Sequence, residues 1–424
     1  MKITKTYRFF DSLLLLLLVF SGGGVFFQLE RNNLSYLLFF LTIFLLIYTG
    51  KNLKKSIFYN AILTFSLFSS LLLLNYYTAP FIQVMSDYNR NPLQYGFHLL
   101  NITSCILILI HFKNNRTYSY FLERLYVVLK VILYQAVLSF LAYFFIKGSL
   151  TGLFGGWGDK YIADTFHYLF FYDPNRYQFS LFGIDLIRTQ GWFWEPGILQ
   201  FYLNLLLFLQ GFVMKRNNLI FILTMFSIII TYSTTGIFIM LFLLIIIFWT
   251  YIKRSPLLIL VAVISFYPLY HISKTNFDNK ISGERVSSFQ KRYLDLVEPF
   301  SIAIDYPLTG IGLDREYFQS FRPKYQIEDD FGSYIENITG FERVSEETEK
   351  GSSNSLTYLM ASMGIPVSFF LFYCLLKQQL FKHRKNLFMI IVIISVLSEP
   401  LLLRPFFLIL IVSGMMSFFN RFTK

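Results

Sequence analysis

A run of 34 residues without a charged side chain, residues 219–252, constrains the fold more than any other feature of the sequence. A helix that crosses a membrane needs about 20 apolar residues, so the run is too long for one helix. Residues 233–236 (STTG) supply a turn that divides it into two. The whole chain is 55% hydrophobic and 15% charged, whereas soluble domains are about 25% charged. The sequence therefore excludes a soluble enzyme, a disordered chain and a secreted disulfide scaffold.

The same length rule predicts an all-α polytopic membrane protein with about 12 transmembrane helices. We expect the 424 residues to form a single integral membrane domain, 1–424. The predicted spans lie near residues 9–28, 33–50, 57–78, 94–112, 121–146, 195–213, 219–234, 236–252, 255–272, 354–376, 387–402 and 404–420. The basic start of the chain resembles a signal peptide, but no small-residue cleavage site follows, so we interpret it as a retained first span.

Basic residues alternate along the predicted loops and give the orientation. One side receives the clusters Lys2/Lys5/Arg8, Lys51/Lys54/Lys55, Lys113/Arg116, Lys215/Arg216, Lys253/Arg254, Lys377/Lys382/Arg384/Lys385 and Arg421/Lys424. The short loops of the other side hold only Arg31, Arg90 and Arg404. Because cytoplasmic loops carry the excess of Lys and Arg, both termini are predicted to be cytoplasmic. Most of the net charge of +12 is then a topological signal, and no nucleic-acid partner is expected.

Two predicted outer loops, residues 147–190 and 271–352, are too long to be simple connectors. They hold most of the acidic residues of the chain. Charge in a membrane protein is costly unless it is solvated or functional. We therefore expect any chemistry at the outer face of the membrane.

The segment 188–197, with sequence RTQGWFWEPG, leads from the first outer loop into a predicted span. Glu195 precedes Pro196, a favoured first residue of a helix. One interpretation is a helix cap beside an aromatic belt at the membrane interface. The other is a site in which Arg188 binds phosphate and Trp192 and Trp194 bind sugar faces.

The second outer loop carries Arg285 and Arg292, then residues 306–312 (YPLTGIG), then residues 351–355 (GSSNS). Glycines in a tight turn are a weak signal, and basic loop residues are mostly solvated surface. Ser and Asn before a span are also ordinary helix caps. The alternatives of a structural and a binding role stay open from the residues alone.

No metal-binding or nucleotide-binding motif occurs in the sequence. The two cysteines, Cys105 and Cys374, lie inside apolar runs without a zinc-like spacing. We expect both to pack as small apolar residues and to form no disulfide.

These motifs together resemble the bacterial O-antigen polymerase (Wzy-type) and O-antigen ligase superfamily. The pattern RxxGxFxEPG at residues 188–197, the PLTGIG segment at 307–312 and Asn354-Ser355 followed by Tyr358 carry the resemblance. Their order along residues 185–370 and two large outer loops also resemble the family. The resemblance implies a GT-C-like glycosyltransferase membrane fold, in the bacterial inner membrane, with its active site on the periplasmic side.

The sequence departs from many relatives at two places. Many ligases carry His just before the Asn, where this chain has Ser353. Many relatives carry Ser-Arg at the outer turn that here is Ser233-Thr234. Both departures resemble the more divergent polymerases.

The resemblance implies transfer of a growing glycan from one undecaprenyl diphosphate to the next lipid-linked repeat unit, without a metal or cofactor. Cations would bind the leaving diphosphate and a base would assist the attacking hydroxyl. Glu195 is the candidate base or an arginine partner, and Glu399 is a weaker candidate. The diphosphate candidates are Arg188, Arg285 and Arg292, of which Arg285 and Arg292 compete for one family position. The candidates for substrate binding are Trp157, Trp192, Trp194, Gly310, Gly312, Ser353, Asn354, Tyr358 and Arg404.

Three other functions remain as alternatives. An O-antigen ligase would transfer the finished glycan to lipid A core. A polysaccharide flippase or other transporter would also have about twelve spans, but such folds usually show repeated halves and charges at mid-membrane depth, which this sequence lacks. A non-enzymatic scaffold would not require the Arg-Glu-Trp cluster. We expect lipid-linked repeat units, the bilayer and a chain-length regulator as the partners.

Overall fold

A computed structural model describes the chain over residues 5–29, 31–49, 54–78, 91–115, 117–155, 160–174, 178–181, 184–253, 286–327 and 352–420. The structure is 76% helix and 6% strand. Before the first long loop, the helices are α1 (Lys5–Phe20), α2 (Val25–Leu29), α3 (Arg31–Thr49), α4 (Lys55–Thr78), α5 (Pro92–Asn115) and α6 (Tyr118–Ile146).

The segment after α6 folds into two small antiparallel sheets. The strands are β1 (Thr151–Gly155), β2 (Lys160–Phe166), β3 (Phe170–Tyr172), β4 (Gln178–Leu181) and β5 (Ile184–Ile187). The first sheet has the order β1-β2-β3, and β4 pairs with β5. Aromatic and β-branched residues favour strands, which explains why this polar loop is ordered as sheet. The predicted outer loop 147–190 thus has secondary structure of its own.

The remaining helices follow the motif at residues 188–197. They are α7 (Pro196–Phe208) with a π turn (Leu209–Val213), α8 (Asn218–Ile230), α9 (Thr234–Ile252), α10 (Val286–Asp305), α11 (Arg315–Ile327), α12 (Ser355–Met363), α13 (Ile365–Leu376), α14 (Lys385–Ser398) and α15 (Pro405–Phe419). Helices α10 and α11 lie within the predicted second loop 271–352.

Four described helical segments are long and apolar enough to cross a membrane: Lys55–Thr78, Pro92–Asn114, Tyr118–Ser149 and Pro196–Val213. Shorter apolar helices occupy most of the other predicted spans. Several large apolar side chains on these helices are exposed, including Phe40, Ile47, Phe145 and Phe238. Such exposure fits a chain whose helices face lipid. The helical membrane class is therefore supported, while the number of spans and their orientation stay predictions.

Two predicted spans differ from the observed helices. The span expected at 9–28 is divided, because α1 ends at Phe20 and the backbone turns through residues 21–24 before α2. The span expected at 354–376 is divided at Gly364, whose φ of +79° ends α12 and starts α13. Glycine tolerates such backbone angles, and apolar composition alone does not reveal the break. The span expected at 255–272 lies outside the described residues.

The chain divides into two compact units. Unit 1 comprises residues 1–34, 119–283 and 381–395. Its central helix is α7, in which every side chain is buried, and α7 packs against both α8 and α9. The amide of Asn204 on α7 donates a hydrogen bond of 3.1 Å to the carbonyl oxygen of Gly236 on α9. A methyl group at Gly236 would lie 2.8 Å from the Gln200 side chain, so glycine permits this close packing.

Unit 2 comprises residues 35–118, 284–380 and 396–424. Helices α4, α5, α13 and α15 pack together, and α10 packs against α11 and α12. Gly414 on α15 lies directly against the carbonyl oxygen of Cys374 on α13, where a side chain would collide with the backbone. Cys105 and Cys374 are both buried free thiols. The prediction that the cysteines pack without a disulfide is confirmed.

Candidate active site

Glu195 is the residue immediately before helix α7 in unit 1. Its backbone is extended, with φ −143° and ψ 143°, and Pro196 occupies the first helical turn as expected. Its side chain does not cap the helix. Among the described residues, no cation forms an ion pair with its half-buried carboxylate. The Glu195 side chain therefore does not cap α7, and within the described residues its carboxylate has no ion-pair partner.

The backbone before Glu195 is held by the glycine turn that follows α1. Val25 N donates to Trp192 O at 2.8 Å, and Trp194 N donates to Gly23 O at 3.3 Å. A methyl group at Gly23 would lie 2.7 Å from the Ile198 side chain. The turn that divides the first predicted span thus fits directly against the motif and fixes the position of Glu195.

Trp192 and Trp194 pack on an apolar cluster formed by Val25, Leu153, Ala163 and Phe171. The indole N–H of Trp192 donates to Leu169 O at 3.1 Å. Both tryptophans are half-buried, so their packed faces serve the fold. Their role as sugar platforms stays a prediction that concerns the remaining exposed edges.

Tyr172 lies at the edge of this part of unit 1, at the end of β3. Its hydroxyl donates to Ser139 O at 2.7 Å on α6. Burial raises the pKa of Tyr172 to about 12. The phenol therefore stays protonated at neutral pH and joins the sheet to α6 as a hydrogen-bond donor.

Arg188 lies against the end of α8. Its Nε donates to Thr231 O at 3.0 Å, and the next residue, Thr189, donates from its backbone N to Ile230 O at 3.0 Å. Carbonyl groups at the end of a helix carry partial negative charge, which favours a guanidinium there. Arg188 is thus oriented by the turn that follows α8.

In unit 2, Arg292 on α10 pairs with Glu399 beyond the end of α14. The distance from Arg292 Nη2 to Glu399 Oε1 is 3.7 Å. The Arg292 side chain is 43% exposed, whereas that of Glu399 is 5% exposed. A buried carboxylate therefore orients a guanidinium that still faces solvent. The backbone oxygen of Glu399 also accepts a hydrogen bond of 2.8 Å from the Ser355 hydroxyl at the start of α12.

Arg322 on α11 forms a buried ion cluster with two carboxylates of α10. Its Nη2 lies 3.1 Å from Asp295 Oδ1, and its Nε lies 2.5 Å from Glu298 Oε2. All three side chains are at most 4% exposed. Buried charges persist only when they are paired and hydrogen-bonded. This cluster joins α10 and α11, the two helices within the predicted second loop.

Residues 352–355 attach to Asp295 through several hydrogen bonds. Ser353 N donates to Asp295 Oδ2 at 2.9 Å, and the Ser352 hydroxyl donates to Asp295 O at 2.8 Å. Asn354 Oδ1 accepts from Leu356 N and Thr357 N, so Asn354 caps α12. The structural interpretation of Asn354 is confirmed. The same contacts hold Ser353 beside the helix that carries Arg292.

The PLTGIG segment packs against the end of α12. Ile311 N donates to Ala361 O at 2.8 Å, and Gly312 N donates to Ser362 O at 2.9 Å. Gly310 has a φ of +64°, and a methyl group there would lie 2.5 Å from Ala361 O. Gly310 thus permits close contact between two backbones, and Gly312 has a φ of +106°, which favours glycine.

Asn75 on α4 forms hydrogen bonds with both the PLTGIG segment and the end of α12. Its Nδ2 donates to Ser362 O at 2.8 Å and to Thr309 O at 3.1 Å. Its Oδ1 accepts from Leu313 N at 3.2 Å and from the Tyr95 hydroxyl at 3.0 Å. The amide therefore uses its full hydrogen-bonding capacity to hold the loop.

The remaining predicted site residues are Tyr358, Arg404, Arg285 and Trp157. Tyr358 is half-buried and contacts Phe318 edge-to-face, with ring centroids 4.9 Å apart. Arg404 is the residue before α15, and its side chain does not cap that helix. Arg285 and Trp157 lie outside the described residues. Within unit 2 the contacts bring together Arg292, Ser353, Asn354 and Glu399.

The sequence patterns did not reveal Asn75, Asp295, Glu298 or Arg322. The one usable signal was the spacing of Arg292, Asp295 and Glu298, which puts a cation and two carboxylates on neighbouring turns of one helix. Their partner Arg322 is 24 and 27 residues away and follows no local pattern. In the described part of the chain, no three His, Cys, Asp or Glu side chains are arranged to hold a metal ion.

Comparison with known proteins gives one family match. Residues 219–372 match the family model described as O-Antigen ligase. The matched segment contains α8 to α12 and most of α13, and with them Arg292, Ser353 and Asn354. No curated protein and no solved structure matches the chain.

Proposed function

Since the match over residues 219–372 supports membership of the O-antigen ligase and polymerase superfamily, we propose that this protein polymerises lipid-linked oligosaccharide repeat units. A family match of this kind is common to polymerases and ligases, so the choice between them rests on residues. The polymerase is favoured because Ser353 stands where many ligases carry His. The donor would be a glycan on undecaprenyl diphosphate, and the acceptor a sugar hydroxyl of the next unit.

The pair of Arg292 and Glu399 carries this proposal. The guanidinium is exposed and is held from one side by a buried carboxylate at 3.7 Å. Arginine binds two phosphate oxygens at once, and a fixed orientation reduces the entropy lost on binding. Arg292 would therefore stabilise the diphosphate as negative charge develops on it.

The described ion pairs around Arg292 and Arg322 are net negative, which favours further cations at a diphosphate site. Arg292 and Arg322 face three carboxylates, those of Asp295, Glu298 and Glu399. A diphosphate would meet an excess of negative charge if Arg292 acted alone. The sequence motifs make Arg188 and Arg285 the candidates for further phosphate contacts.

Glu195 is the proposed base. It is half-buried, it does not cap α7, and no described cation pairs with it. A carboxylate of this kind can accept the proton of the attacking hydroxyl while the diphosphate leaves. The new glycosidic bond forms at the acceptor oxygen as the bond from the donor sugar to the diphosphate breaks.

Purified full-length protein and lipid-linked repeat units, without added metal, test the polymerase. We expect a ladder of glycan lengths. A product that appears only when a lipid A core acceptor is added, with transfer of one preformed glycan, would instead identify a ligase. No transfer in either reaction, from folded protein, would contradict both.

Arginine variants test the assigned site in a strain that lacks the natural protein. Arg292→Ala and Arg188→Ala should each leave single repeat units without a ladder. Arg315→Ala is the matched control, because Arg315 is an exposed arginine of unit 2 with no assigned role. A normal ladder from Arg292→Ala at normal protein level would remove Arg292 from the site.

A further inference from the structure

A groove of about 460 Å³ lies within unit 1. Its walls are apolar side chains from α9 and α14: Phe242, Ile246, Leu387 and Ile390. The start of α14 adds Arg384, Lys385 and Asn386 to the same groove. A groove lined by apolar side chains together with two cations and an amide matches an amphiphile with an anionic head.

Several cations of unit 1, Arg384 among them, lie over aromatic rings. The Arg216 guanidinium lies 5.5 Å from the Phe221 ring centroid and 5.7 Å from that of Phe248. Lys253 Nζ lies 5.0 Å from the Trp249 ring, and the Arg384 guanidinium lies 5.9 Å from the Phe212 ring. Aromatic and basic residues in this combination are typical of the level where lipid headgroups meet the hydrocarbon. The groove therefore opens where lipid phosphates are found.

The charge of this region is of one sign. Neither residues 196–253 nor residues 381–395 contain Asp or Glu. These two segments therefore contribute only positive formal charge to the groove, which favours anionic ligands. Arg384 also has a φ of +49°, a backbone angle that disfavours a side chain with a Cβ. Arg384 lines the groove from this strained backbone position.

We propose that this groove binds one anionic phospholipid. The phosphate contacts Arg384, Lys385 and Asn386, and an acyl chain lies along Phe242, Ile246 and Ile390. A zwitterionic lipid would bring its own cation close to two basic side chains, so an anionic headgroup is preferred. The backbone N–H groups at the start of α14, a helix of 14 residues, add to the attraction.

Native mass spectrometry of the full-length protein in detergent tests this proposal with phosphatidylglycerol, phosphatidylcholine and inorganic phosphate as separate probes. We expect one retained phosphatidylglycerol at concentrations where phosphatidylcholine is not retained. The double variant Arg384→Gln/Lys385→Gln should bind phosphatidylglycerol about 30-fold more weakly. The double variant Lys54→Gln/Lys55→Gln, which removes two exposed lysines at the start of α4, should bind it normally.

A second variant separates the groove from a general effect of charge. Ile246→Trp keeps both cations but fills the groove. This variant should also retain no phosphatidylglycerol in the mass spectrum. Undiminished phosphatidylglycerol binding by either groove variant would overturn the proposal. Protection of the wild-type protein from thermal unfolding by inorganic phosphate, equal to that by phosphatidylglycerol, would also overturn it, because the site would then bind free phosphate.

Discussion

The starts of α7 and α12 carry the two motifs that resemble the family most, and the molecule holds them in different ways. Before α7, backbone hydrogen bonds and the Gly23 turn fix the chain, and the Glu195 side chain takes no part in capping. Before α12, side chains fix the chain, because Asn354 caps the helix and Asp295 binds Ser353. A motif residue held only through its backbone keeps its side chain for chemistry, whereas one that caps a helix is already used.

This difference predicts how each site responds to substitution. Variants around α12 should change the free energy of unfolding, and the Glu195 variant should change activity alone. Four experiments follow from it, in decreasing order of their expected effect on stability.

Arg322→Met should cause the largest loss of stability. It leaves Asp295 and Glu298 buried without their cation, which costs about 3–5 kcal/mol. Chemical unfolding of the purified protein in detergent measures the change. Arg315→Met is the control, since Arg315 is exposed on the same helix. If both variants unfold alike, the cluster does not stabilise unit 2.

Gly310→Ala should cost about 2 kcal/mol, because an alanine at φ +64° is strained and its methyl group meets Ala361 O. Gly96→Ala in α5 is the matched control. Nothing lies within 4 Å of a methyl group at Gly96, so that variant should be neutral or slightly more stable. If the Gly310→Ala protein is as stable as the wild type, the PLTGIG segment does not pack tightly against α12.

Asn354→Ala should cost about 1 kcal/mol, the usual contribution of a helix cap. Asn354→Ser retains an oxygen that accepts the backbone N–H bonds and should recover most of the loss. Thermal melting of the three proteins compares them. Should serine recover stability but not polymer formation, Asn354 would have a role with substrate in addition to the cap.

Glu195→Gln should leave the melting temperature unchanged and lower the rate of polymerisation about 100-fold. The reason is that the amide fits the same space but cannot accept the proton. Glu123→Gln, at an exposed glutamate of unit 1, is the control for both measurements. A Glu195→Gln protein that unfolds more readily at unchanged activity would reverse the contrast between the two helix starts.

Local patterns in the sequence were sufficient to predict most helices. Spans such as 57–78 and 94–112 agree with α4 and α5 because hydrophobic length is a local property. The breaks at residues 21–24 and at Gly364 were missed, since they depend on what packs against the glycines. At Gly364 the packing partner is the backbone of Leu308, 56 residues earlier in the chain.

The sequence motifs suggested only some of the candidate site residues, for the same reason. Arg188, Glu195, Arg292 and Asn354 stand in short motifs that a reader of the sequence can find. The Arg322 cluster and the Glu399 partner of Arg292 arise from contacts between distant segments, which no local spacing encodes. Residues that bind each other across a fold become visible only when the fold is known.

Asn75 has a consequence for how the protein is made. Its partners Thr309 and Ser362 follow it by 234 and 287 residues. During synthesis α4 is made long before the PLTGIG segment and α12. The Asn75 side chain can therefore form these hydrogen bonds only after both have been made. Distant contacts of this kind form late in folding. The PLTGIG segment should therefore reach its final shape only after α12 has left the ribosome.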